Sequence, residues 1–134
     1  MANDPPPVPT ILVVDDEPAV RALVERVLRD AGFQVLSATG SAAALALLER
    51  DGTVDLLLAD LRMPVMSGTQ LALKAMQLRP EVRVLIMAAY PAEDPIAWRI
   101  ITKPFPPEVL EAEIRRVLEG PSARAASGEF PTEP

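Results

Sequence analysis

Three apolar runs in this chain end in residues that can do chemistry. Ile11-Leu12-Val13-Val14 leads into Asp15-Asp16, Leu56-Leu57-Leu58-Ala59 into Asp60, and Ile100-Ile101-Thr102 into Lys103. A fourth run, Val82 to Ala88, ends on an alanine and brings nothing reactive. Each run is short, continuous and bounded by turn residues, the pattern of a strand buried on both faces. In one parallel sheet, right-handed crossovers would set the first and third runs side by side at its centre. Their three carboxylates would then meet at the carboxyl edge, where open α/β sheets bind ligands. Clustered carboxylates repel one another unless a cation lies among them. A hard, oxygen-seeking ion such as Mg²⁺ suits the set, since it accepts one or two carboxylates and keeps several waters and a phosphate oxygen. Lys103 adds a point charge that can pair with a phosphoryl group as well as with Asp60. Each residue also has an ordinary explanation: Asp60 can start a loop, Asp15-Asp16 can favour a helix N-terminus, and Lys103 can be a solvated surface lysine. Their placement on successive strand ends points to a site.

The elements that must hold these residues follow in order. Residues 1–9 contain Pro5, Pro6, Pro7 and Pro9 and little to bury, so they read as an extended, disordered lead. After Thr10 to Val14, Pro18 suits the first turn of a helix whose apolar stripe is Val20, Leu23, Val24, Val27, Leu28 and Ala31, ended by Gly32. Phe33 to Ala38 is a second strand. Thr39-Gly40-Ser41 supplies a turn and cap for an Ala/Leu-rich helix, Ala42 to Glu49. Val54 to Ala59 is the third strand, and Ser67-Gly68 leads into a helix carrying Leu71, Ala72, Ala75, Met76 and Leu78. Val82 to Ala88 is the fourth strand. Between Ala89 and Arg99 the pattern weakens, because Pro91 and Pro95 leave room for one short helical turn at best. Ile100 to Thr102 is a short fifth strand, and Pro106-Pro107 open an amphipathic helix through Val109, Leu110, Ile114, Val117 and Leu118, stopped at Gly120. Strands alternating with helices in this way predict βαβ units and a parallel sheet.

Composition narrows the function. The 134 residues suffice for one domain, with 24% charged and 49% apolar residues as in an ordinary globular protein. Absence of cysteine excludes disulfides and thiolate metal sites. Absence of histidine removes the usual general base and transition-metal ligand, and any phosphohistidine chemistry within the chain. The formal net charge of -6 argues against nucleic acid as a partner. No apolar run approaches the roughly 20 residues of a membrane span, and the start lacks a signal-peptide core, so a cytoplasmic protein is expected.

Three motifs, Ile11-Leu12-Val13-Val14-Asp15-Asp16-Glu17-Pro18, Asp60-Leu61-Arg62-Met63-Pro64-Val65-Met66-Ser67-Gly68 and Lys103-Pro104-Phe105, closely resemble those of the receiver domain of two-component response regulators. The resemblance covers about residues 10–119, leaving 120–134 as a flexible tail too short for an output domain, so a stand-alone receiver is expected. It implies an α/β, flavodoxin-like (βα)5 fold with sheet order 2-1-3-4-5, here with a shortened or irregular fourth helix. It implies that Asp60 accepts a phosphoryl group from a histidine kinase or histidine phosphotransfer protein. Asp16, Asp60 and the backbone carbonyl of Arg62 would hold Mg²⁺, and Asp15 would act mainly through a bound water. Lys103 would contact the phosphoryl oxygens, across a cis bond to Pro104. Such a module catalyses only its own phosphorylation and dephosphorylation and passes the signal to a protein partner that the sequence does not identify.

Two positions depart from similar receivers. Ala88 stands where a Ser or Thr would bond a phosphoryl oxygen, and Ile100 where an aromatic would rotate inward. Phosphoacceptor chemistry is therefore expected to persist while the familiar readout is lost; Tyr90 and Trp98 could stand in for the aromatic or simply pack a shortened loop. An alternative is a phosphorylation-independent pseudo-receiver acting as a protein-binding module, supported by Ala88 alone. A Mg²⁺-dependent phosphohydrolase would typically carry a second acid two residues after its nucleophile, where this chain has Arg62.

Overall fold

The computed structural model describes residues 7–89 and 98–122. Five strands, β1 (Thr10–Val14), β2 (Gln34–Ala38), β3 (Leu56–Asp60), β4 (Arg83–Ala88) and β5 (Arg99–Thr102), form one sheet in the order β2-β1-β3-β4-β5. Every pairing is parallel. Four helices accompany them among the described residues: α1 (Pro18–Asp30), α2 (Ser41–Arg50), α3 (Gly68–Leu78) and α4 (Pro107–Glu119). This is the flavodoxin-like order expected. The proposed stunted helix between β4 and β5, with Tyr90, lies outside the described residues, as do the first six residues of the Pro-rich lead and the tail from residue 123.

Alternation along the central strands divides the core in two. Ile11, Val13, Leu56, Leu58, Leu85 and Met87 face one side and pack with Val24 and Leu28 of α1 and Leu110 and Ile114 of α4. Leu12, Val14, Leu57, Ala59, Val84 and Ile86 face the other and pack with Ala44 and Leu48 of α2 and Leu71, Ala72 and Ala75 of α3. β1 and β3 are buried along their whole length, which is why they carry unbroken apolar runs. Register then places the strand ends: Val14 pairs with Ala59, Asp60 with Met87, and Ala88 with Thr102.

Local details differ from the sequence reading for identifiable reasons. Ser41 is the first residue of α2 rather than its cap, and its hydroxyl donates to the Met66 carbonyl (3.0 Å), a contact 25 residues away. Leu23 lies on the predicted apolar stripe of α1 but is 63% exposed, because only Val24 and Leu28 of that helix are fully covered. Asp60 is the last residue of β3, not the first of the loop.

Three arginines secure the helix C-termini. Arg79 donates to the Leu48 and Glu49 carbonyls at the end of α2 (2.9 and 3.1 Å). Arg115 donates to the Ala31 carbonyl after α1 (3.1 Å) while stacking over Phe33, and Arg83 donates to the Gly120 carbonyl after α4 (3.0 Å). Each satisfies orphan carbonyls and places a cation at the negative end of a helix dipole. Arg79→Ala is expected to lower stability by about 1–2 kcal/mol, seen as a lower urea midpoint with an unchanged m-value.

Candidate functional site: an acid cluster bridged by a lysine

The residues singled out from the sequence converge at the carboxyl edge of the sheet. Asp15 follows β1 and is fully buried, Asp60 closes β3 at 8% exposure, and Asp16 is exposed. Carboxylate oxygens of all three lie within 4.8 Å of one another. Lys103 follows β5 and reaches into the cluster, with Nζ 2.9 Å from Asp60 Oδ1 and 3.2 Å from Asp15 Oδ2. Its main chain is fixed by a bond from Lys103 N–H to the Ala88 carbonyl (2.7 Å), and its peptide to Pro104 is cis. The other Asp15 oxygen accepts from the Glu17 N–H (2.9 Å).

One ammonium serving several carboxylates leaves the two partners in different states. Burial pushes the Asp60 carboxyl up, Lys103 pulls it down, and Asp15 and Asp16 push it up again, so that it ends above its ordinary range. Burial pushes Lys103 down, but its bonds to Asp60 and Asp15 outweigh this and hold it above its ordinary value. The cation is over-provided with partners and the anion under-provided. An all-oxygen donor set with surplus negative charge fits a hard divalent cation such as Mg²⁺.

Beside the cluster is a depression of about 300 Å³ lined by Asp16, Glu17, Asp60, Arg62 and Lys103 together with Leu61, Ala88 and Ala89. Ala88 therefore stands at the site, as its sequence position implied, and contributes only a methyl group. Ile100 is half-buried against the α2/α3 side of the core, and Trp98 is buried in that core. Trp98 is not among the residues lining the depression.

The loop after Asp60 is shaped by contacts that spacing alone did not reveal. Gly68 N–H bonds the Leu61 carbonyl (2.9 Å), and a Cβ at Gly68 would collide with the Asp60 main chain. Ser67 and Gln70 form a capping box at the start of α3. Just before the box the chain turns sharply: Met66 N–H reaches the Pro64 carbonyl (2.7 Å), and Val65 has φ of 72°. A β-branched residue there is a strained backbone position. The Pro64 and Gly68 signature announces a turn, but nothing in it identifies Val65 as the strained residue.

Comparison with known proteins agrees with this geometry. Residues 11–115 match the family described as the response regulator receiver domain. The chain belongs to the response regulator receiver family. Like other receivers it is a signalling module of two-component systems rather than an enzyme. It is 32% identical over 124 residues to the DNA-binding transcriptional regulator NtrC of Azospirillum brasilense, a match covering 87% of this chain and 26% of that protein. The receiver thus spans about a quarter of that relative. The chemotaxis protein CheY4 of Vibrio cholerae superposes with a TM-score of 0.76 at 26% identity, covering 83% of this chain and 99% of that one. The response regulator TrrA of Thermotoga maritima, solved in complex with Mg²⁺-BeF, superposes with a TM-score of 0.75 at 26% identity, covering 82% and 99%. No helix among the described residues is long and apolar enough to cross a membrane.

Two outcomes follow from the receiver's site geometry. Val65 is fully exposed, so Val65→Gly loses no packing and releases backbone strain; a net stabilisation of about 1 kcal/mol is expected in urea unfolding. The folded protein holds the Asp60 proton more tightly than the unfolded chain does, so stability falls as pH rises from the ordinary carboxylate range through the raised Asp60 value. Asp60→Asn is therefore expected to raise the melting temperature of the Mg²⁺-free protein at neutral pH, with the gain narrowing as pH is lowered through that window.

Proposed function

We propose that the chain is a phosphoacceptor receiver, phosphorylated on Asp60 with Mg²⁺. The observation that carries this reading is the bridge from Lys103 to both Asp15 and Asp60 inside the acid cluster. Asp16, Asp60 and the Arg62 carbonyl would hold the cation, Asp15 acting mainly through a bound water; the ion would supply Lewis-acid neutralisation of the transferred group. An Asp60 carboxylate oxygen attacks the phosphorus of a phosphohistidine, a P–O bond forms as the P–N bond breaks, and the electron pair leaves on the donor nitrogen. Lys103 favours the ionised nucleophile against the cost of burial and then neutralises charge on the phosphoryl oxygens.

With no histidine among these 134 residues, the donor lies outside them. Receiver domains take phosphate from histidine kinases, and a kinase or a histidine phosphotransfer protein is the donor proposed. Residues 10–119 form the receiver unit, and its output is passed on by protein contact. That output does not use a hydroxyl-to-aromatic switch, because Ala88 and Ile100 occupy the two positions. Loss of one hydrogen bond to a charged group costs about 1.5–3 kcal/mol, which weakens the phosphorylated state without removing the acceptor.

Ala88 favours a second reading, a pseudo-receiver that binds partners without phosphorylation. Incubation with Mg²⁺ and acetyl phosphate separates the two. An acid-stable, base-labile adduct of one phosphoryl group is expected in the intact mass, and its disappearance in Asp60→Asn identifies the acceptor. No adduct, together with no binding of beryllofluoride, supports the pseudo-receiver.

A further inference from the structure

We propose that Arg21 is a positioning residue for the acid cluster: by holding the Asp15 carbonyl it fixes the peptide that carries Asp16, and so sets the cluster's affinity for Mg²⁺. The proposal rests on the reading of the cluster as a Mg²⁺ site. Arg21 Nη1 donates to the Asp15 carbonyl at 2.7 Å, a short charge-assisted bond. The Arg21 side chain is only 17% exposed, and Glu25, equally covered one turn further along α1, stands 3.8 Å from its Nε. By contrast, the Arg26–Asp30 pair on the same helix is 83% and 77% exposed and stretched to 4.0 Å. The Arg21 main chain is fixed in the first turn of α1 by its N–H bond to the Glu17 carbonyl (3.0 Å), and its guanidinium lies between the Asp15 carbonyl and Glu25.

What that anchor controls follows from the bonding of the two acids. Asp15 is held through its carboxylate by Glu17 N–H and by Lys103. Asp16 has no side-chain hydrogen bond or ion pair among the described residues, so its direction is inherited from the main chain. The peptide between Asp15 and Asp16 contains the very carbonyl that Arg21 grips. Rotation of that peptide swings Asp16 relative to Asp15 and Asp60. Arg21 bonds the carbonyl and none of the three carboxylates, which leaves their oxygens available to a cation.

Charge and position make opposite demands here, and this gives the test its discrimination. A guanidinium beside the cluster repels Mg²⁺, so its removal on electrostatic grounds alone would tighten binding. Loss of positioning would weaken binding. In calorimetric titration of the full chain with MgCl₂ alone, Arg21→Met is expected to weaken Mg²⁺ binding about 10-fold, at the lower end of the range for outer-shell metal partners. Arg21→Lys, which keeps the charge and one donor, is expected to recover most of that loss. A role confined to packing would lower the melting temperature of the metal-free protein and leave the Mg²⁺ dissociation constant unchanged. If Arg21→Met does not fold, Arg21→Gln takes its place with the same expected weakening. A neutral variant that binds as tightly as the wild type, or more tightly, overturns the assignment, as does a lysine variant that recovers nothing. A wild-type chain that takes up no Mg²⁺ overturns the metal-site reading itself.

Discussion

The structure depends on an unbalanced charge at one edge of its sheet. Three carboxylates share a space where their oxygens approach within 4.8 Å, and one ammonium stands between two of them. At an effective dielectric constant of about 20, like charges about 4–5 Å apart repel by roughly 3–4 kcal/mol, so the cluster costs stability on a scale comparable with a protein's whole margin. Lys103 offsets part of this, yet the Asp60 carboxyl remains raised. The remaining negative charge is what makes the site receptive to a cation.

The rest of the fold compensates in backbone and packing. β1 and β3, which carry the acids, are the strands buried along their full length, and their register sets the cluster before any side chain is considered. At the far end of the helices, arginines occupy the carbonyl-rich termini of α1, α2 and α4. Cations thus sit where helix dipoles favour them. Arg21 is an exception at the acidic edge, and it is directed onto a main-chain oxygen. The loop after Asp60 carries the other local conflict, a strained Val65, held by the Gly68–Leu61 bond, the capping box and the Ser41 hydroxyl.

Much of this was legible in the residues, and the physical reason is periodicity. Central strands of a parallel sheet must be apolar on both faces, so the runs before Asp15, Asp60 and Lys103 announced themselves, and order along the chain then placed the three motifs at one edge. The start of α3 after Ser67-Gly68 was readable because its signal is local. Contacts between residues far apart in sequence were not: Ser41 looked like a helix cap because Ser is a good one, while its hydroxyl is used 25 residues away. Leu23 fitted the helical stripe, but periodicity defines a face and not how much of it a neighbour covers. Arg21 gave no signal in the sequence, since nothing in its spacing shows that its target is a carbonyl six residues earlier.

The distribution of polar groups around the depression bears on how a phosphoryl group could be sensed. Acids and lysine lie at the ends of β1, β3 and β5, whereas β4 contributes Ala88 and the following Ala89. Neither offers a side-chain donor, so among the described residues on that side there is no hydroxyl for a phosphoryl oxygen to draw toward it. Ile100 is half-buried in the α2/α3 core, and an aliphatic side chain already packed there has no polar end to exchange between solvent and interior. A switch requires an element whose two arrangements differ in their contacts with the modified group. Among the described residues, the groups in direct touch with the cluster are Lys103 with its bridge between two carboxylates, the loop carrying Arg62, and the Asp15–Asp16 peptide gripped by Arg21. In the proposed phosphoacceptor, a phosphoryl group on Asp60 would alter the partners of Lys103 first, because Nζ lies 2.9 Å from the Asp60 carboxylate and bridges it to Asp15.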